Sequence, residues 1–154
     1  MHPFREAVER RDPAAIEALL AEDVVFTSPV AFKPYAGRAI TAAILRAVMQ
    51  VFEDFRYVRE FASEDGRGHA LAFTATVDGR RVDGCDFLHL DEEGLIDDFT
   101  VMVRPLSGAH ALAEAMGARF EQISTAGAVP GADAAGAAHR APEVGDDPGV
   151  GARQ

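Results

Sequence analysis

The rhythm of apolar and polar positions changes after Asp54 and again before the last helix. Before Asp54 apolar residues recur mostly every three or four positions; after it, through about residue 103, they recur every second position. Pro3 suits a first helical position, and Phe4, Ala7 and Val8 then share one side of a short helix that ends near Arg11. Asp12 is a good N-cap with Pro13 behind it, and Ile16, Leu19 and Leu20 extend a second helix until Glu22 and Asp23. Val24 to Ser28 is β-rich, and Pro29 and Pro34 punctuate the loop through Phe32, Lys33 and Tyr35. After Gly37 a longer helix sets Ile40, Ile44, Leu45, Val48, Val51 and Phe52 on one stripe that must face a core.

Strands are predicted at 55 to 62, 69 to 77, 81 to 90 and 95 to 103, followed by a helix over about 108 to 122 with Leu112, Met116 and Phe120 on one side. Their connections are turns: a five-residue loop from Glu64 to Gly68, the two-residue Asp78-Gly79, and Asp91 to Gly94. The pattern predicts an α+β fold, with N-terminal helices packed on one face of an antiparallel meander and a short C-terminal helix. From Ser124 to Gln154 the chain is mostly Ala, Gly and Pro, and Val129, Val144 and Val150 are its only large apolar side chains. Such a segment does not offset its ordering entropy, so residues 1–123 are read as the folded domain and 124–154 as a disordered tail.

The Asp78-Gly79 turn also sets a register. Val77 pairs with Arg80, which places Leu71 opposite Asp86, Phe73 opposite Gly84, Ala75 opposite Val82 and His69 opposite Leu88, all on one face. Alternation on the last strand adds Phe99, Val101 and Val103 to that face, and adds Asp97 unless a bulge at Gly94 reverses it. Asp86 then stands in an apolar field, where ionisation is costly and a raised pKa makes it a proton donor near neutral pH. The bland alternative is a capping or solvated Asp86. The opposite face carries Thr74, Thr76, Arg81, Asp83, Cys85, Phe87 and His89, and Phe87 with Met102 suggests a homodimer through it, against scattered surface hydrophobes.

Composition narrows the partners. A chain of 154 residues is one domain, and a net charge of -10 with no basic face argues against nucleic acid. Cys85 is the single cysteine, so no internal disulfide is expected, and a thiol without a histidine neighbour is usually a small hydrophobe. No apolar run approaches the ~20 residues of a membrane span, and the amino terminus has no signal-peptide stretch, so the expectation is a cytoplasmic protein without membrane contact. His2, His69, His89, His110 and His139 lack metal-ligand spacing and there is no Gly-rich phosphate loop, so neither a metal nor a cofactor is expected.

The order of elements, with Asp12-Pro13-Ala14-Ala15-Ile16, Leu20-Ala21-Glu22-Asp23-Val24, Ser28-Pro29-Val30, Gly37-Arg38-Ala39-Ile40 and Gly94-Leu95-Ile96, resembles the nuclear-transport-factor-2-like superfamily. The resemblance is to its SnoaL-like and ketosteroid-isomerase-like branch, covers about residues 3 to 106, and implies a cone-shaped domain around a pocket. Ketosteroid isomerase uses an Asp base with a Tyr and a protonated Asp in its oxyanion hole. In this chain Ser28 stands at the base position, Phe4 at the first-helix tyrosine position, and only the protonated-acid position matches, at Asp86. That departure argues against a strict steroid isomerase. The resemblance implies a small hydrophobic ligand, with polyketide cyclases and epoxide hydrolases among the relatives, and an isomerase, cyclase or hydrolase acting on a carbonyl, epoxide or polyketide-like compound. In that scheme Asp86 is the catalytic donor and His69 a distant base. Ser28 or Tyr35 orients the ligand, and Phe73, Leu88, Phe99 and Val101 line its site. The competing expectation is a non-catalytic, dimeric ligand-binding or protein-interaction module.

Overall fold

The structure, a computed structural model, describes residues 1–125. Helices α1 (Pro3–Glu9) and α2 (Pro13–Ala18) are followed by strand β1 (Leu20–Thr27), the short β2 (Tyr35–Ala36) and helix α3 (Arg38–Val51). Strands β3 (Glu53–Ala62), β4 (Gly68–Val77), β5 (Arg80–Leu90) and β6 (Ile96–Arg104) form the meander, and α4 (Leu106–Thr125) closes the described chain. The six strands make one sheet in the order β2-β1-β6-β5-β4-β3.

Local chemistry accounts for most boundaries. The Asp12 carboxylate accepts from the Ala15 amide at 3.0 Å and caps α2, and Pro13 sits in its first turn. Asp78 and Gly79 both have positive φ, 48° and 73°, the geometry of a two-residue turn whose twist matches its strands. The predicted register follows from it: Leu71 pairs with Asp86, Phe73 with Gly84 and His69 with Leu88. Gly84 is required, because a Cβ there would lie 2.3 Å from the Phe73 ring.

The structure corrects several expectations. Helix α2 ends at Ala18, and Leu20, predicted helical, opens β1. Leu20 pairs with Ile96, and the Ile96 amide donates to the Leu19 carbonyl at 2.8 Å, so sheet pairing overrides the local helical pattern. Strand β1 pairs in parallel with β6, so the sheet is not wholly antiparallel. Helix α4 runs to Thr125, longer than predicted, and includes Ser124 and Thr125 of the segment read as a tail. The remainder of that segment lies outside the described residues.

The helices cover one face of the sheet, and the core between them holds Phe4, Ile16, Ile44, Leu45, Phe73, Phe99, Leu112 and Met116. On the other face Phe87 and Met102 are exposed in the single chain. Among the described residues no helix is long and apolar enough to cross a membrane.

Candidate functional site

Between the helices and the sheet the core is not completely filled: a cavity of about 130 Å³ remains. That is comparable to an apolar cavity known to take one benzene-sized molecule. Phe4 and Ile16 from α1 and α2, Ile44, Val48 and Phe52 from α3 and its cap, and Leu112 and Met116 from α4 wall one side. Phe55, Phe73, Phe99 and Val101 wall the sheet side, with Phe55 and Phe73 ring centroids 4.9 Å apart. The exposed side chains of Glu9 and Arg11 mark the mouth, near the half-buried Ser28, Pro29 and Val30.

Two polar groups stand inside this apolar wall. Asp86 is 6% exposed, and its Oδ2 accepts a hydrogen bond from the Tyr57 hydroxyl at 2.7 Å. Among the described residues Oδ1 has no hydrogen-bond partner, which leaves that oxygen for whatever enters. Burial pushes the Asp86 carboxyl up to about 7, although the Tyr57 hydroxyl bond pulls it the other way. Burial and the neighbouring Asp86 charge hold the Tyr57 hydroxyl well above its ordinary range, so it remains a donor. The arrangement is a carboxyl that is readily neutral near pH 7, oriented by a tyrosine, at the inner end of a largely apolar pocket.

The support around Tyr57 comes from α1. The Arg5 guanidinium lies 5.8 Å from the Tyr57 ring centroid and pairs with Glu9 at 2.8 Å and Glu60 at 3.6 Å. Glu60 also accepts from the His2 amide at 2.7 Å, which ties the helix start to β3.

The SnoaL-like domain family matches residues 2–99. The chain belongs to that family, within the nuclear-transport-factor-2-like superfamily. A steroid delta-isomerase from Pseudomonas aeruginosa is 46% identical, with a TM-score of 0.75 over 79% of this chain and 89% of its own. An uncharacterised protein with a cystatin-like fold from Silicibacter pomeroyi is 41% identical, with a TM-score of 0.75 over 80% and 86% of the two chains. An epoxide hydrolase/cyclase-like enzyme of salinomycin pyran ring formation is 22% identical at a TM-score of 0.56, over 68% of this chain and 87% of its own, and shares the fold. No curated protein matches the chain at a significant level.

The cavity of this SnoaL-like chain brings together Asp86, Ser28, Phe73, Phe99 and Val101 of the residues singled out from sequence. Leu88 is buried in the core beside it without lining it. Tyr35 is not on the lining either; its ring stacks on Phe120 at 5.8 Å. His69 lies away from the cavity, with Nε2 on the Gly66 carbonyl at 2.9 Å and its ring 4.5 Å from that of His2. The Ser28 hydroxyl accepts from the Val30 amide at 3.2 Å and so holds the turn at the mouth. Asp97 is turned outward to His89 at 2.6 Å, because the β5–β6 register shifts between His89 and Leu90.

Sequence reasoning missed Tyr57. The signal was present: Phe55 and Tyr57 alternate on β3, and Tyr57 pairs with Phe73, already assigned inward. With Phe4 at the first-helix tyrosine position, the hydroxyl beside Asp86 is supplied from the sheet instead.

Proposed function

We propose that this SnoaL-like protein is an acid/base enzyme that isomerises a compact hydrophobic carbonyl compound, with Asp86 as the proton donor to the carbonyl oxygen. One observation carries the reading: a buried carboxyl, bonded to Tyr57 and raised to about 7, faces a cavity walled mainly by apolar side chains. A neutral carboxyl hydrogen-bonded to a carbonyl oxygen stabilises the enol, while the α proton passes to the Glu9 carboxylate, the remaining carboxyl on the lining, and is returned from it at the γ carbon, shifting a double bond. The similarity to a protein named steroid delta-isomerase supports this reaction class. The cavity volume of about 130 Å³ favours a single-ring ligand over a steroid. Ser28 provides no carboxylate, and Glu9 is the other carboxyl on the lining, where it faces solvent at the mouth.

The test uses cyclohex-3-enone. Its α-proton exchange in deuterated water and its conversion to cyclohex-2-enone are followed by NMR with wild-type protein and Asp86→Asn. The expected result is catalysed exchange that falls about 100-fold or more in the variant, the range for removing a general acid. Exchange unchanged in Asp86→Asn overturns the role. Binding without any exchange in the wild type supports the second reading, a ligand-binding module, which the serine at position 28 favours.

A further inference from the structure

Arg11 supplies the single basic side chain on the cavity lining among the described residues. Every acid near it in sequence is engaged elsewhere: Glu6 pairs with Arg10 at 3.5 Å, Glu9 with Arg5 at 2.8 Å, and Asp12 caps α2. Among the described residues Arg11 forms no ion pair, so a cation stands unneutralised at the mouth of an apolar pocket in an acidic protein.

Its backbone is also unusual. Arg11 has φ 53° and ends α1 in a left-handed position, with its amide on the Val8 carbonyl at 2.9 Å and the Asp12 amide on the Ala7 carbonyl at 3.0 Å. Glycine is the ordinary occupant of that position because it has no Cβ to clash. The chain keeps an arginine there, and strained backbone of this kind clusters at sites of function.

We infer that Arg11 anchors an anionic end group, so that the ligand is a compact hydrophobic carbonyl compound carrying a carboxylate, an inference that rests on the reading of this cavity as the ligand site. The guanidinium matches a carboxylate in shape as well as charge. The two ends of the cavity then sort the ligand. The apolar inner end makes burial of a carboxylate costly, while the neutral Asp86 carboxyl donates to a carbonyl oxygen there, and Arg11 at the mouth holds the anion in solvent reach. The Glu9 carboxylate on the same rim does not compete for Arg11, because Arg5 holds it.

The experiment compares 3-oxocyclohexane-1-carboxylate with its primary amide, two single-ring ketones that differ in charge. Both are titrated by NMR into wild type, Arg11→Gly and Arg11→Lys, with the Phe73 and Val101 resonances as the report of cavity entry. Glycine suits the left-handed backbone, so Arg11→Gly removes the guanidinium without endangering the fold. The expected result is that wild type binds the acid about tenfold more tightly than the amide, and that salt narrows the difference. Arg11→Gly abolishes the preference while leaving the amide affinity unchanged, and Arg11→Lys keeps part of it. Equal affinities in the wild type, or a preference that survives Arg11→Gly, overturn the inference while the cavity reading stands. If neither ketone moves the cavity resonances, both fall.

Discussion

Asp86 gains its chemistry from what surrounds it. An aspartate in water is an anion at neutral pH; walled by Phe73, Phe99 and Val101 with one hydrogen bond from Tyr57, it becomes costly to ionise. Tyr57 has two effects: it orients the carboxyl and, by donating to it, favours the charged form. Hairpin parity makes the position of Asp86 legible, because a two-residue turn leaves the register no freedom. Tyr57 was less legible, since β3 reaches β4 through a longer loop and its pairing shifts twice, between Glu53 and Arg56 and between Tyr57 and Arg59. Arg11 was illegible as a site residue, because the end of a short helix carries no pattern that points to a cavity.

At the scale of elements, the meander acts as a frame whose register decides which groups face inward. The Phe73–Gly84 pair is the tightest point of that frame beside Asp86. A Cβ at Gly84 would meet the Phe73 ring at 2.3 Å and the Met102 carbonyl at 2.8 Å. Gly84→Ala is expected to push Phe73 toward the cavity and to destabilise the protein by about 1–3 kcal/mol, the usual range for overpacking. Urea unfolding together with ring-ketone binding checks this; unchanged stability with intact binding contradicts it. Strand β1 shows where local pattern fails. Leu19 and Leu20 continue the helical spacing of Ile16, yet the parallel partner Ile96 takes Leu20 into the sheet. That partner is distant in sequence, so no local window contains it. Asp97 was undecidable for a similar reason, since a single shift in β5–β6 pairing reverses its face.

Across the whole molecule, the buried carboxyl links pH to stability. The folded-state value of about 7 lies above the ordinary 3.8, so the folded protein binds the Asp86 proton more tightly than the unfolded chain does. The stability associated with that proton is fully present below about pH 4 and is lost as pH rises toward 7. By linkage the loss is on the order of 4 kcal/mol. Asp86→Asn has no proton to lose, and it is expected to gain on the wild type by that order between pH 4 and 8. Thermal or urea unfolding of both proteins across this range measures the difference; a constant difference contradicts a buried neutral acid. The layout of helices on one sheet face was legible from the change of rhythm near Asp54, because burial on one face imposes the period. A pocket was expected from the family resemblance, but its size was not legible, since the volume depends on how Phe4, Phe26, Phe52 and Met116 meet across elements, and no sequence spacing encodes that gap.

The most direct test is an NMR titration of the Asp86 side-chain carboxyl carbon in wild type and in Tyr57→Phe. The expected midpoint is near 7 in the wild type and higher in Tyr57→Phe, because the hydroxyl bond that favours the anion is gone. A wild-type midpoint near the ordinary 3.8, or a midpoint that falls in Tyr57→Phe, contradicts that expectation and removes Asp86 as a donor at neutral pH.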